Sequence, residues 1–279
     1  MRRKLMMKRV MQLLVISVLL VTLTSVAFAT VNDINAGLSY YSQGKLKKAK
    51  VQFKDALKSP GYKVEAYTNL GLIARKQGNI DEAINYYQKA LNLNADLVVA
   101  HIGLGDLYLM KDNYEDAIAE YKLANDMTSH FIVDQKLGIA NYKQGTYQKA
   151  VDYFKKVIND HKWAYPSYYY LGATYRKLGN VEKAASNLQI AIKRNPTYVR
   201  AYLGLGDLYL EQGQRLEALK SYQNAVRSNK TYYLSWFKLA HAYVELGRVE
   251  DAKKSLERTL HLNPDFQEAR QILNKLEQM

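Results

Sequence analysis

No cysteine occurs anywhere in the 279 residues, which excludes disulfides, thiolate metal sites and cysteine nucleophiles. The same absence rules out a lipid-anchored lipoprotein, since no Cys follows the apolar N-terminal stretch. Beyond the first nine residues there is no run of five or six Lys or Arg either. The formal charge is +14, from 40 basic and 26 acidic residues; five of the basic residues and none of the acids lie in those first nine, so the remainder carries +9. That charge is spread along the chain. Nucleic acid is therefore not an expected partner, whereas an acidic protein, a lipid headgroup or an anionic polymer suits the sign. Histidine is sparse: His101, His130, His161, His241 and His261 never fall at the i, i+4 spacing of a helical zinc site. Gly103-Leu104-Gly105 lacks the third glycine and the preceding strand of a dinucleotide loop. No metal, no cofactor and no catalytic activity are expected.

The first 29 residues are chemically distinct. Arg2, Arg3, Lys4, Lys8 and Arg9 precede an apolar run from Val10 to Val26, which ends in Ala27-Phe28-Ala29. A basic head, an apolar middle and a small-x-small exit predict a cleaved secretory signal, and with it export to a bacterial periplasm or beyond. The alternative is a retained anchor, because residues 10–29 approach the roughly 20 apolar residues that span a bilayer. Membrane contact is expected only through this segment, if it stays uncleaved.

The rest of the chain is periodic. Ala49, Ala83, Ala117, Ala150, Ala184, Ala218 and Ala252 recur about every 34 residues. Five positions earlier stand Gly44, Gly78, Gly145, Gly179, Gly213 and Gly247, with Asp112 in the one gap. The units are 30–63, 64–97, 98–130, 131–164, 165–198, 199–232 and 233–266. A unit this small cannot bury a hydrophobic face alone, so neighbours must stack. Within 64–97, Tyr67, Leu70, Gly71 and Ala74 form one face of a first helix, and Ile80, Ala83, Tyr87 and Ala90 one face of a second. Gly78 supplies the turn between them. Leu104-Gly105, Leu137-Gly138, Leu171-Gly172, Leu205-Gly206 and Leu239-Ala240 repeat the first face; Tyr121, Phe154, Leu188, Tyr222 and Leu256 repeat the place of Tyr87. The glycines and the recurring alanines are expected where two helix backbones approach closely. Residues 267–279 predict a last helix whose face of Ala269, Ile272, Leu273 and Leu276 caps the stack.

This pattern resembles the tetratricopeptide repeat family, whose large residue, Leu-Gly, Tyr, Ala, aromatic and Ala stand in the sixth unit as Tyr202, Leu205, Gly206, Tyr209, Ala218, Tyr222 and Ala225. The match covers about 237 of the 279 residues. It implies an all-α fold: a right-handed superhelical solenoid of seven helix-turn-helix repeats with a C-terminal capping helix. Departures mark irregularities. The third unit is one residue short, and Gly-Leu-Gly-Asp-Leu-Tyr-Leu occurs both at 103–109 and at 204–210. Asn141 replaces Tyr and Thr259 replaces Ala, so looser packing is expected there.

The resemblance also implies where a partner sits: on the inner surface, lined by first-helix residues turned away from the second helices. Carried over by position, that lining is Tyr41, Arg75, Lys76, Asp106, Leu109, Tyr142, Lys143, Tyr169, Arg176 and Lys177, followed by Asp207, Glu211, Phe237, His241 and Glu245. A basic and aromatic groove turning acidic towards its C-terminal end is expected. The family's chaperone-binding clamp is incomplete, since Ile34 and Leu38 stand where its first pair would fall. The cluster Trp163, Tyr165, Tyr168, Tyr169 and Tyr170 exceeds what packing requires. The expected function is an exported scaffold or adaptor that holds an extended peptide or partner helix and supports assembly of an envelope or secretion complex. The alternative is a glycan- or peptidoglycan-binding accessory to exopolysaccharide or cell-wall assembly, using the Tyr cluster. The oligomeric state stays open.

Overall fold

The computed structural model describes residues 32–278, and the predicted leader lies outside them. Among the described residues there are helices and no strand. Two compact units divide at Ser129/His130. The first holds α1 (32–42), α2 (Leu46–Ala56), α3 (Lys63–Lys76), α4 (Ile80–Leu93), α5 (Val98–Met110) and α6 (Tyr114–Thr128). The second holds α7 (Phe131–Gln144), α8 (Tyr147–Asp160), α9 (Tyr165–Lys177), α10 (Val181–Arg194), α11 (Val199–Glu211), α12 (Arg215–Ser228), α13 (Tyr233–Glu245), α14 (Val249–Leu262) and α15 (Gln267–Glu277). No helix among the described residues is long and apolar enough to cross a membrane.

Odd- and even-numbered helices are the first and second members of successive pairs, and each pair is closed by its turn. Gly78 adopts φ +79°, its N–H donates to Arg75 O at 3.0 Å, and the Asn79 N–H reaches back to Ala74 O at 2.9 Å. That double closure needs a left-handed residue, which glycine supplies without steric cost. At the gap in the glycine series Asp112 takes the same conformation, φ 55°, and the Asn113 N–H closes on Tyr108 O at 2.9 Å. Between pairs the usual exit is an Asn in extended backbone: Asn94, Asn195 and Asn229 each accept the N–H two residues on, at 3.1, 3.1 and 2.9 Å. The short third repeat is explained here. α6 ends instead on Ser129 in the left-handed region, φ 46°, which dispenses with the Asn exit.

Packing follows sequence order. Within each unit a helix packs on the helices that precede and follow it, and α3 touches α5, α7 touches α9, α9 touches α11 and α11 touches α13. Within a unit these first helices therefore lie side by side and share a face. The core is a chain of small clusters, such as Ala74, Ala83, Tyr87, Ala100, Leu104 and Leu107 in the first unit. The first-helix glycines are filled differently from expectation. A Cβ on Gly71 would meet the Tyr87 ring at 2.9 Å, on Gly105 the Tyr121 ring at 2.5 Å, and on Gly206 the Tyr222 ring at 2.4 Å. What approaches the bare backbone is chiefly a ring from the second helix; only at Gly172 does partner backbone, Ala184 O at 3.0 Å, come as near. Tyr87 is held on both sides, since Gly103 of the next first helix would also clash with it at 2.6 Å.

Asn141 and Thr259 are not loosely packed. Both are buried and hydrogen-bonded, Asn141 Nδ2 donating to Leu137 O at 2.8 Å and Thr259 Oγ1 to Ser255 O at 2.9 Å. α15 turns Ala269, Ile272, Leu273 and Leu276 onto Phe237, Ala240 and Leu256, and leaves Glu268, Gln271, Asn274 and Lys275 exposed.

Candidate partner-binding site

In the first unit the shared face of α3 and α5 carries a three-residue network. Arg75 Nη1 donates to Asp106 Oδ2 at 2.8 Å, and the Tyr121 hydroxyl donates to Asp106 Oδ1 at 2.7 Å. Tyr121 belongs to a second helix and passes under Gly105 to reach the groove, so the core itself fixes the carboxylate. Burial, and then the Asp106 charge, push the Tyr121 phenol far above its ordinary pKa. Lys76 Nζ lies 5.1 Å from the ring centroid of Tyr41, and Leu109 is half-buried.

The second unit repeats the network. Arg176, Asp207 and Tyr222 are each 101 residues beyond Arg75, Asp106 and Tyr121, the same offset as the duplicated heptapeptide. The Tyr222 hydroxyl donates to Asp207 Oδ1 at 2.7 Å, and Lys238 Nζ lies 3.0 Å from the same oxygen. Arg176 Nη1 stands 3.6 Å from Asp207 Oδ2 and 3.3 Å from Glu211 Oε1. Around this centre is a pocket of about 220 Å³, lined by Tyr142, Tyr169, Ala173, Arg176, Leu188, Arg200, Leu203, Gly204, Asp207, Tyr232, Leu234 and Lys238. Burial, and then the neighbouring Tyr170, push the Tyr169 phenol up to about 12, and burial raises that of Tyr142. Both rings therefore line the pocket as neutral phenols.

Of the residues named from the sequence, Tyr142, Tyr169, Arg176 and Asp207 line this one pocket. Lys143, Lys177, Glu211, His241 and Glu245 are exposed, and Glu245 pairs with Arg215 at 3.3 Å. Phe237 is not in the groove. It is 7 % exposed and meets Phe266 edge-on at 4.9 Å, because the last pair has no further repeat and the segment leading into α15 closes over this position instead. Two of the basic residues expected along the groove are paired. Arg75 and Arg176 are held by acids one repeat further on, 31 and 31 or 35 residues away, a register invisible when each helix is considered alone. Sequence reasoning missed Arg200, Leu203, Leu234 and Lys238. Arg200, Leu203 and Asp207 follow i, i+3, i+7, so extending the stripe one turn back from Asp207 would have found two of them.

The Tyr cluster is largely consumed by packing. Tyr168 is buried, Tyr170 stacks on Phe154 at 5.6 Å, and Tyr165 and Tyr169 both meet Tyr198 edge-on at 4.9 and 5.6 Å. Trp163 alone is strongly exposed, at 61 %. Of the histidines, His101 is buried, with Nδ1 2.6 Å from Glu120 Oε2 and Nε2 3.0 Å from Ala95 O. Among the described residues no three His, Asp or Glu side chains converge as a metal would require.

Models of the tetratricopeptide repeat match residues 64–97, 135–162, 169–233 and 210–276, together more than half of the chain. The chain belongs to the tetratricopeptide repeat family. Solved structures agree on the fold. A tetratricopeptide repeat protein from Parabacteroides merdae superposes with a TM-score of 0.76 at 17 % identity, over 89 % of this chain and 99 % of its own. MamA gives 0.53 at 28 % identity, over 61 % and 94 %. YrrB, described as a TPR protein with an unusual peptide-binding site, gives 0.52 at 20 % identity, over 66 % and 95 %. No curated protein matches the chain in sequence. The all-α tetratricopeptide fold stands as expected, and with it the role of a protein–protein interaction scaffold.

Proposed function

We propose that this tetratricopeptide protein is an exported adaptor which holds an extended peptide or partner helix along its first-helix face, with the pocket of the second unit as the principal contact, and that it supports assembly of a cell-envelope complex. One observation carries the binding site: four successive first-helix segments converge on a single pocket that combines apolar walls, neutral phenols and fixed charges. Such a mixture suits a peptide, whose side chains alternate in character while its length needs a continuous face. Peptide binding by the structurally similar YrrB supports the reading. Export rests on the basic, apolar and Ala-x-Ala order of residues 1–29. The glycan alternative loses ground because most rings of the Tyr cluster are buried or packed against other rings.

A photo-crosslinking amino acid placed at Leu203, in the pocket, should capture a protein partner in envelope preparations. The same group at Leu216, 66 % exposed on α12, should not. Equal capture at both positions, or capture at Leu216 alone, removes the pocket from the interface. N-terminal sequencing of the native protein addresses export separately: a start at Thr30 supports cleavage, and a start at Met1 refutes it.

A further inference from the structure

We propose that the exposed face of α2, the second helix of the first repeat, lies against the surface of an anionic phospholipid bilayer, with Lys47, Lys54 and Lys58 as its contacts. This face is not the peptide groove, and the proposal does not rest on that reading. It adds a membrane contact to the one expected from residues 10–29.

The basic surplus is uneven. No long basic run follows the first nine residues, yet residues 30–63 hold seven Lys and two Asp, a net +5. The remaining 216 residues hold 28 basic and 24 acidic side chains, a net +4. Within α2 the helix sorts these lysines. Ala49, Phe53 and Ala56 are buried on one side. Lys47, Val51 and Lys54 stand at i, i+4 and i+7 on the other, and Lys58 follows in the turn directly after the helix. All four are exposed, Val51 at 55 %. Among the described residues neither Lys47 nor Lys54 pairs with a carboxylate, while Lys58 has Asp55 at 2.7 Å and Lys50, off the stripe, has Glu82 at 2.7 Å.

The fold gains nothing from this arrangement. The first turn of a helix favours acids, and most second helices supply them: Asp81 and Glu82 in α4, Glu115 and Asp116 in α6, Glu182 in α10, Glu217 in α12, Glu250 and Asp251 in α14. Lys47 and Lys48 occupy the places of Asp81 and Glu82, 34 residues earlier, and α2 has neither an acid in its first turn nor a side-chain cap. The first turn of α8 also lacks an acid, but there the neutral Gln148 stands beside a single base, Lys149. Two cations in these places occur in α2 alone among the seven second helices.

Three features select a lipid surface over another polyanion. All seven basic residues of the first repeat are Lys and none is Arg. A hydrated point charge suits a diffuse layer of headgroups, whereas an enclosed carboxylate or phosphate is better held by the guanidinium fork. The stripe includes an exposed valine, whose apolar side chain suits insertion between headgroups. Lys58 also lies within electrostatic reach of Asp33 in the first turn of α1, four residues in sequence after the apolar run 10–29. The stripe thus ends beside the part of the fold nearest in sequence to a segment of bilayer-compatible composition.

The lack of native cysteine lets a single one, Val51→Cys, carry an environment-sensitive fluorophore on the full chain. With vesicles of phosphatidylglycerol and phosphatidylcholine in equal parts, its emission should shift to the blue. The shift should vanish in high salt and with phosphatidylcholine alone. Changing Lys47, Lys54 and Lys58 together to Gln should raise the lipid concentration for half the shift on the order of a hundredfold, at roughly fivefold per lysine. The same exchange at Lys193, Lys220 and Lys254, exposed on α10, α12 and α14, should leave it unchanged. Lys47→Asp with Lys48→Glu should weaken the shift at least as much while keeping or raising the denaturation midpoint, the reverse of what a structural role for these lysines would give. No shift with the anionic vesicles, an equal shift with phosphatidylcholine, or equal loss in both triple variants overturns the proposal. A shift with poly-glutamate or a DNA oligonucleotide but not with vesicles reassigns the face to a soluble polyanion and overturns it too. None of these outcomes bears on the peptide groove.

Discussion

Tyr87, Tyr121 and Tyr222 occupy the same place in three second helices and differ in what waits for their hydroxyls. Each ring passes beneath a first-helix glycine, and the residue after that glycine is Leu72, Asp106 or Asp207 respectively; the two aspartates accept from the hydroxyls of Tyr121 and Tyr222. Where the ring is Phe154 or the side chain is Leu188, the matching residues are apolar, Ile139 and Ala173. Polarity is thus matched across the helix pair everywhere among these five except at Tyr87, whose buried hydroxyl has no hydrogen-bond partner among the described residues. Removing an unpaired buried hydroxyl costs nothing in hydrogen bonding, whereas removing one partner from a charged acceptor leaves that acceptor poorer. Tyr87→Phe should therefore leave the denaturation midpoint unchanged or raise it. Tyr121→Phe should destabilise by about 1.5–3 kcal/mol, a typical figure for a hydrogen bond to a charged group. Chemical denaturation followed by circular dichroism checks both, and a loss at Tyr87 as large as that at Tyr121 would refute the polarity match.

At the scale of the helix, the sequence was legible wherever a local conformation was decisive. The glycine series marks left-handed turns that few other residues adopt, so the end of α3 and both ends of α4 follow from Gly78 and Asn94. The groove was less legible because depth is decided by neighbours. Phe237 holds the same place in its helix as Tyr169 and Leu203, two pocket residues, yet Phe266 covers it. Arg75 and Arg176 were readable as cations at helix ends but not as partners of Asp106 and Glu211 on the next first helix. The same neighbour dependence makes α15 a structural requirement. Ending the chain at Phe266 would expose the apolar surface of Phe237, Ala240 and Leu256 that Ala269, Ile272, Leu273 and Leu276 now cover. Loss of that burial should cost about 3–5 kcal/mol, from roughly 1.5–3 kcal/mol per large buried side chain reduced for the half-buried ones. Hydrogen exchange should then show α13 and α14 exchanging faster while α3 and α4 are unaffected, since in a repeat array stability passes from one repeat to the next. Uniformly faster exchange would mean that the array unfolds as one block.

Across the whole chain the dominant resource is tyrosine, 24 residues against 6 Phe and 2 Trp, and that choice sets a limit on the pH range of the fold. A phenol buried under a neighbouring glycine or against another ring is stable there only while neutral. Burial raises the pKa of Tyr87 and Tyr169 to about 12, and raises those of Tyr108, Tyr121, Tyr142, Tyr198 and Tyr222 as well, in both units. In the unfolded chain the same groups ionise near their ordinary value of 10. Between about pH 10 and 12 the native state consequently holds more protons than the unfolded state, so stability is complete below pH 10 and falls as pH rises through that window. The expected outcome is a cooperative loss of helicity above pH 10, accompanied by a step in tyrosinate absorbance at 295 nm as the core phenols become exposed together. Exposed tyrosines should titrate first and smoothly, leaving the helical signal intact. If all of the tyrosinate absorbance instead develops as one smooth curve centred near pH 10 with helicity unchanged, the rings are not held as tightly between helices as their contacts with Gly71, Gly103, Gly105 and Gly206 require.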